Sequence, residues 1–201
     1  MIRLAITGGL CSGKSAVAAM LRHHGCPVVD ADAIGHRLLQ GEAKAELVQE
    51  FGPGILTSSG AISPVRLANL AFAPGDGKAL EALNRILHPP ILAVAAAQMR
   101  EWEREGLPIA GVEAALLIEA DRLQGFDRVV VVVADVETRV QRFIARTGGT
   151  REQAEARIAR QMPDADKIQR AHFVVNNNGP LAATERQVEE MLAQLRAEVA
   201  I

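Results

Sequence analysis

The sequence predicts an α/β protein: a three-layer α/β/α core around a parallel sheet, with an inserted helical lobe and a helical lid. Three observations lead to this prediction. An apolar run at residues 2–6 opens directly into a glycine-rich loop and a helix, further apolar runs return later, and a long helical stretch separates them. Strands covered by helices on both faces form continuous apolar runs and pair in parallel.

The first third of the chain alternates strand and helix. The run at residues 2–6 is the first strand, and the helix after the loop covers residues 16–23. Residues 26–30 (CPVVD) form a second short strand, and residues 33–39 a helix. Glycines and a proline interrupt residues 41–60, which we expect to end in a tight turn.

The middle of the chain is helical, and the sheet resumes after it. Apolar residues at three- and four-residue spacing predict helices at residues 64–72, 78–87 and 90–105, with Pro74, Gly75 and Gly77 as breaks. The remaining strands are predicted at residues 107–118, 128–134 and 173–177, and the remaining helices at residues 137–146, 151–160 and 181–200.

This order of elements divides the chain into three parts. Residues 1–40, 106–140 and 168–201 form the core, residues 41–105 form the helical lobe, and residues 141–167 form the lid. The lid would turn at residues 147–150 (TGGT), where two glycines give the chain freedom to bend.

Residues 8–15, GGLCSGKS, match the phosphate-binding loop pattern G-x-x-x-x-G-K-[ST] and follow the first strand directly. This context predicts a P-loop NTPase-like core that binds ATP or GTP. Backbone N–H groups and the positive end of the next helix would hold the phosphates, Lys14 would neutralise them, and the Ser15 hydroxyl would contact Mg²⁺. The candidate nucleotide-binding residues are Gly8, Gly9, Leu10, Cys11, Ser12, Gly13, Lys14, Ser15 and Ala16.

Two aspartates stand at the end of the second predicted strand. Open α/β sheets place their ligands at the carboxyl ends of strands, so Asp30 and Asp32 should face the phosphates. One could accept or orient the proton of an acceptor hydroxyl while the other holds Mg²⁺. Either could instead cap the following helix, which is a common use of aspartate.

The late helices carry arginines. Arg142 and Arg146 are four residues apart and therefore share a helix face, which could close over ATP as a lid. The alternative is that these arginines lie on solvated faces and pair with nearby glutamates. His88 precedes two prolines; ahead of a helix N-terminus it could contact an anionic substrate, or serve only as a cap or packed side chain.

Composition limits the partners. The chain of 201 residues has a net charge of −2 and no Lys/Arg-rich block, so we expect a small-molecule partner and no nucleic acid. No apolar run is long enough to span a membrane, and no membrane partner is expected. Two cysteines do not make a disulfide framework, which favours the cytoplasm. The assembly is left open between a monomer and a small homo-oligomer.

Several segments together resemble the dephospho-CoA kinase family, almost end to end and in the same order. They are residues 8–18, 28–32, 87–91, 115–119, 142–146, 157–161 and 173–179. The resemblance implies transfer of the γ-phosphate of ATP to the ribose 3′-hydroxyl of dephospho-CoA, with magnesium, in the final step of coenzyme A synthesis. It also implies that the helical lobe binds CoA.

The resemblance implies roles for particular residues. Asp32 is the expected catalytic base, with Asp30 and Ser15 near the metal ion. Lys14, Arg142 and Arg146 complete the expected catalytic set. The acceptor-binding residues would be Asp32 and His88, and Asn177 matches an asparagine near the adenine pocket.

Several positions differ from the family pattern, and three of them bear on the argument below. Glu113 stands where the family usually has aspartate, without the proline that usually follows, and its role is left open. Arg66 is displaced by two residues from the usual arginine, so no role is carried over to it. Arg139 replaces a usual glutamine.

Three other functions are weighed against this one. Another small P-loop kinase, acting on a nucleoside or nucleotide, would share the loop, the carboxylates and the lid. A GTPase would need an Asn-Lys-x-Asp motif, which the chain lacks, although residues 32–35 fit the D-x-x-G element. A nucleotide sensor without turnover would require that both aspartates serve only as caps.

Overall fold

The computed structural model describes residues 1–71, 73 and 77–199. Within them, five parallel strands form one sheet in the order β2-β3-β1-β4-β5, which confirms the predicted α/β class. The strands are β1 Ile2–Gly8, β2 Val28–Asp30, β3 Ile109–Glu113, β4 Arg128–Val133 and β5 Phe173–Asn176. The helices are α1 Lys14–His23, α2 Ala31–Gln40, α3 Lys44–Phe51, α4 Pro64–Ala71, α5 Lys78–Arg104, α6 Val136–Thr147, α7 Arg151–Ile158, α8 Asp164–Ile168 and α9 Leu181–Val199.

The chain divides into two compact units. The first, Met1–Asp30 with Met99–Ile201, contains the sheet, and the second, Ala31–Gln98, contains α2, α3, α4 and most of α5. Phe72, Pro74, Gly75 and Ala200, named in the sequence predictions, lie outside the described residues. Across the described part of the chain, no helix combines the length and the apolar character needed to cross a membrane.

The sheet is buried on both faces, as its continuous apolar runs predict. Leu4 and Ile6 of β1 and Val130 of β4 pack on one face against α1 and α9. The intervening residues, such as Ala5 and Val131, pack on the other face. Because side chains alternate between faces along a strand, a strand covered on both sides is apolar throughout.

The strand predicted at residues 107–118 is too long. β3 ends at Glu113, and residues 115–121 turn, with Ala120 N donating to Leu116 O at 2.9 Å. Leu117 and Ile118 are buried in this turn against the sheet face that contains Val131. The second half of the apolar run is therefore apolar because it packs against the sheet, and it does not form part of a strand.

The helix predictions around His88 are also wrong. Residues 78–87 and 90–105 are not separate helices, because α5 runs unbroken through Pro89 and Pro90. The fixed φ of proline is compatible with a helix, although the missing N–H groups and the ring clash cost about 3 kcal/mol or more. His88 accordingly lies inside a helix and not ahead of its N-terminus.

Residues 41–60 are more ordered than their glycines suggest. They contain α3 and a 3₁₀ turn at Pro53–Ile55, neither of which the sequence analysis predicts. The predicted tight turn is present, with Gly60 N donating to Thr57 O at 3.0 Å and an antiparallel bridge between Leu56 and Ile62. Burial of Leu47, Ile55 and Ile62 holds this segment in the core of the second unit.

One buried ion pair joins α8 to the turn after β3. Lys167 Nζ lies 2.7 Å from Glu119 Oε1, and the Lys167 side chain is fully buried. We predict that Lys167→Met lowers the free energy of unfolding by about 3–5 kcal/mol, because it leaves one charge without its partner. Adding Glu119→Leu should recover most of the loss. Denaturant titration measures both, and a single variant as stable as the parent would contradict the prediction.

Candidate active site

The glycine-rich loop joins the central strand of the sheet to α1. β1 ends at Gly8 and α1 begins at Lys14. Gly13 adopts a left-handed conformation with φ of 97°, and a Cβ there would lie 1.8 Å from Asn177 Nδ2. Only glycine fits this position, which brings the loop backbone and the N-terminus of α1 together for a phosphate group.

Two side chains hold the loop from the core. Asn177 is buried, and its Nδ2 donates to Ser12 O at 2.8 Å while its Oδ1 accepts from Thr184 Oγ1 at 2.9 Å. Arg142 Nη1 donates to the same Ser12 oxygen at 3.2 Å, and its Nη2 donates to Asn177 O at 2.8 Å. Both predicted site residues are thus in direct contact with the loop.

Acidic residues lie beside Ser15 at the carboxyl edge of the sheet. Ser15 Oγ donates to Glu113 Oε1 at 2.7 Å. β3 lies between β1 and β2, and Glu113 is in register with Asp30. Neighbouring strands are about 4.8 Å apart, so the two acids stand side by side. Glu113, whose role the sequence left open, therefore belongs to the site; its one sequence signal is an acid at the end of an apolar run.

Two further predicted residues belong to the second compact unit. Asp32 is the second residue of α2, two residues after Asp30 along the chain, and is exposed. His88 is half-buried within α5. Arg66, to which the sequence analysis assigned no role, donates to the carbonyl oxygen of Leu56, a residue of the antiparallel bridge in the same unit.

The predicted lid, residues 141–167, takes in the larger part of α6 and all of α7, and these two helices pack together through Val140, Phe143 and Ala154. Arg146 is exposed on α6. Arg151, the first residue of α7, is paired with Glu137 in the first turn of α6, and hydrogen bonds from Arg151 and Gln141 lower the pKa of Glu137 to about 2.

Sequence reasoning assigned no role to two residues that contact the loop. Gln161 Oε1 accepts from Leu10 N at 2.7 Å, and Arg139 Nε donates to Leu10 O at 2.8 Å. No local pattern marks either contact, since Gln161 and Leu10 are 151 residues apart in the chain.

The fold and the site define a class of protein. A phosphate-binding loop follows β1, the central strand of a parallel sheet. Ser15 of this loop is hydrogen-bonded to the carboxylate of Glu113 on the neighbouring strand β3, and Asp30 is at the end of the next strand, β2. This is the arrangement of a P-loop phosphotransferase. The family model of dephospho-CoA kinase matches residues 2–183, and the chain belongs to the dephospho-CoA kinase family.

Individual relatives agree with this assignment. The dephospho-CoA kinase of Symbiobacterium thermophilum is 43% identical over 92% of this chain and 78% of its own length. That of Geobacter sulfurreducens is 40% identical over 95% of this chain and 97% of its own length. Among solved structures, TT1252 from Thermus thermophilus is 36% identical with a TM-score of 0.81, covering 96% of this chain and 97% of its own.

A more distant structure shares the fold alone. Shikimate kinase from Bacteroides thetaiotaomicron is 12% identical with a TM-score of 0.51, covering 97% of this chain and 98% of its own. The predicted family and enzyme class are confirmed, and so is the activity of that family, the ATP-dependent phosphorylation of dephospho-CoA. Family membership also separates the chain from the GTPase and sensor alternatives.

Proposed function

We propose that this protein transfers the γ-phosphoryl group of ATP to the ribose 3′-hydroxyl of dephospho-CoA, giving coenzyme A and ADP. The observation that carries the proposal is the bond between Ser15 and Glu113, which brings a carboxylate to the phosphate-binding loop of a dephospho-CoA kinase family member. In the reaction, the acceptor oxygen bonds to the γ-phosphorus, the bond from that phosphorus to the β-bridging oxygen breaks, and the hydroxyl proton leaves.

The loop residues Gly8, Gly9, Leu10, Cys11, Ser12, Gly13, Lys14, Ser15 and Ala16 form the phosphate site of this proposal. Lys14, the first residue of α1, supplies positive charge at the helix end whose dipole already favours anions. Arg142 and Asn177 fix the loop through the Ser12 carbonyl group, and this supports their assignment to the nucleotide site. Arg146, exposed on α6, would contribute its charge from the lid.

Magnesium fits the donors at the strand ends. Ser15 offers a hydroxyl oxygen, and Asp30 and Glu113 offer carboxylates; oxygen donors of this kind suit Mg²⁺. One or two carboxylates are the usual protein share, with substrate phosphates and water completing the shell. A bound Mg²⁺ would neutralise charge on the phosphates. Glu113 orients the Ser15 hydroxyl by accepting a hydrogen bond from it.

Asp32 is proposed as the base for the acceptor hydroxyl. It follows Asp30 by two residues, so the chain carries it just past the carboxyl end of β2. An exposed carboxylate can accept the 3′-hydroxyl proton as the new O–P bond forms. The helical unit would hold the CoA moiety, with His88 of α5 among the acceptor-binding residues, and α6 with α7 would form the lid.

The state of the thiols supports a cytoplasmic setting in this proposal. Both cysteines are free, and burial raises the pKa of the Cys26 thiol to about 12, so Cys26 stays protonated. We place the protein in the cytoplasm, where thiols stay reduced. Its partners are ATP and dephospho-CoA, and its assembly remains open between a monomer and a small homo-oligomer.

An acceptor panel tests the proposed function. Purified protein is incubated with ATP and Mg²⁺ and with dephospho-CoA, adenosine, AMP, CMP or shikimate, and the mass of each acceptor is read for one added phosphate. We expect only dephospho-CoA to gain it, and NMR of the product to locate it on the 3′-oxygen. Preferential phosphorylation of another acceptor, or of another hydroxyl, would overturn the proposal.

Glu113→Gln tests the metal site. Glutamine keeps the acceptor for the Ser15 hydroxyl but removes the negative charge next to the metal position. We predict a rise of about 10–100-fold in the Mg²⁺ concentration for half-maximal rate, because supporting residues of metal sites have effects of this size. Rates measured across a Mg²⁺ titration give the answer, with Glu113→Asp, the residue usual in the family, as the control that retains the charge. An unchanged Mg²⁺ dependence in the glutamine variant would contradict the role.

A further inference from the structure

One residue of the phosphate-binding loop, Leu10, has both of its backbone polar groups held by side chains from elsewhere in the chain. Leu10 N donates to Gln161 Oε1 at 2.7 Å, and Leu10 O accepts from Arg139 Nε at 2.8 Å. Backbone polar groups that are shielded from water need partners, and for the half-buried Leu10 neither partner comes from the loop itself. These two side chains therefore help to position the loop at Leu10, together with the packing of the Leu10 side chain on the cluster of Val140, Phe143 and Ala154.

Arg139 connects the partners to one another. Its Nη2 donates to Gln161 Oε1 at 3.1 Å, and its Nη1 donates to Asp164 Oδ2 at 3.2 Å. The side chain is 5% exposed, so three of its bonds form away from bulk water, where a planar guanidinium is held in a single orientation. A Cβ on Gly9 would lie 2.3 Å from Arg139 Nη2, which shows that the guanidinium group lies directly against the loop.

The same residues mark the two ends of the α6–α7 hairpin. Arg139 is in the first turn of α6, whereas Gln161 follows α7 and Asp164 begins α8. The chain therefore leaves the core for the α6–α7 hairpin near Arg139 and returns to it near Gln161, and both of these side chains hold Leu10. Its own packing comes from Val140, Phe143 and Ala154, so the polar contacts of Arg139 and Gln161 serve the loop in addition to the hairpin.

We propose that Arg139 and Gln161 are positioning residues for ATP, which set the conformation of the loop at Leu10 and join it to the base of the α6–α7 hairpin. The proposal rests on the assignment of this loop to ATP in the proposed function. Gln161 acts through the Leu10 N–H and Arg139 through the Leu10 carbonyl group, and neither has to contact the nucleotide. Loss of either partner leaves one backbone group of Leu10 without its hydrogen bond and lets the loop leave the conformation that binds phosphate.

The test compares Gln161→Leu with Gln153→Leu. Gln153 is on the same hairpin, and its side chain completes the capping box of α7 with Thr150, so this control removes a hydrogen-bonding amide without touching the loop. Equilibrium titration with ATP in the absence of acceptor, thermal unfolding, and KM values for ATP and dephospho-CoA are measured for both. We expect Gln161→Leu to weaken ATP binding about tenfold, with the KM for dephospho-CoA within twofold of the parent, and Gln153→Leu to bind ATP as the parent does.

Arg139→Gln, which introduces the residue usual in the family, provides a second variant. Combined with Gln161→Leu, it should weaken ATP binding by less than the sum of the two single effects, because the two side chains are hydrogen-bonded to each other and hold the same residue. ATP binding by Gln161→Leu equal to that of the parent would overturn the proposal, as would equal losses in the two leucine variants, which would indicate general weakening of the hairpin. Transfer to a different acceptor would overturn the proposed function and leave this comparison of ATP affinities valid.

Discussion

Replacing Lys14 with alanine is expected to abolish phosphoryl transfer while the fold stays intact. Lys14 is the first residue of α1, directly after Gly13, where the loop and the helix end converge. We expect its ammonium group to stabilise negative charge on the β- and γ-phosphates, and removing such a group should reduce kcat/KM on the order of a thousandfold or more.

The fold should tolerate this change because the buried face of α1 is elsewhere. Val17, Ala18 and Leu21 supply that face, and alanine is a good helix former. Arg128→Ala is the matched control. It removes a positive charge at the start of β4, at the amino ends of the strands and thus away from the loop, together with a surface ion pair to Glu198. Steady-state kinetics and thermal unfolding compare the two. Transfer by Lys14→Ala at a rate near that of Arg128→Ala would refute the role of Lys14.

The elements that the sequence predicted well are those determined by local pattern. The apolar run of β1 and the G-x-x-x-x-G-K-[ST] spacing together define a strand, a turn and a helix within 23 residues. β4 was predicted for a similar reason, since Val129 to Val132 are buried on alternating faces and leave no polar position. Here burial and local geometry favour the same structure.

The predictions failed where tertiary contacts decide the structure. Leu117 and Ile118 are as apolar as strand residues, yet they pack onto the sheet from a turn. His88 stands before two prolines that usually mark a helix boundary, but α5 continues through them. Arg139 and Leu10 are 129 residues apart, and their contact exists only because β1 and α6 meet at one edge of the sheet. No window of sequence contains that information.

Asp32→Asn is the second change with a large expected effect, and it separates two roles of one residue. Asp32 is in the first turn of α2, where an acidic side chain also stabilises the helix N-terminus. Asparagine has nearly the same shape but is not a base, and loss of the charge at the helix end should cost only about 0.3–1 kcal/mol. If Asp32 accepts the proton of the 3′-hydroxyl, kcat should fall by about 10²–10⁴-fold, while ATP affinity and thermal stability stay close to those of the parent.

Asp135→Asn is the control. It makes the same chemical change at the N-terminus of α6, which follows the carboxyl end of β4, and it should leave kcat unchanged. Single-turnover rates with saturating ATP isolate the transfer step from substrate binding and product release. Near-normal rates for Asp32→Asn would show that Asp32 only stabilises the helix. Asp30 would then be the next candidate for the proton acceptor, because it is two residues away in the chain and next to Glu113. A loss confined to kcat would assign the proton transfer to Asp32 and leave Asp30 and Glu113 to the metal ion.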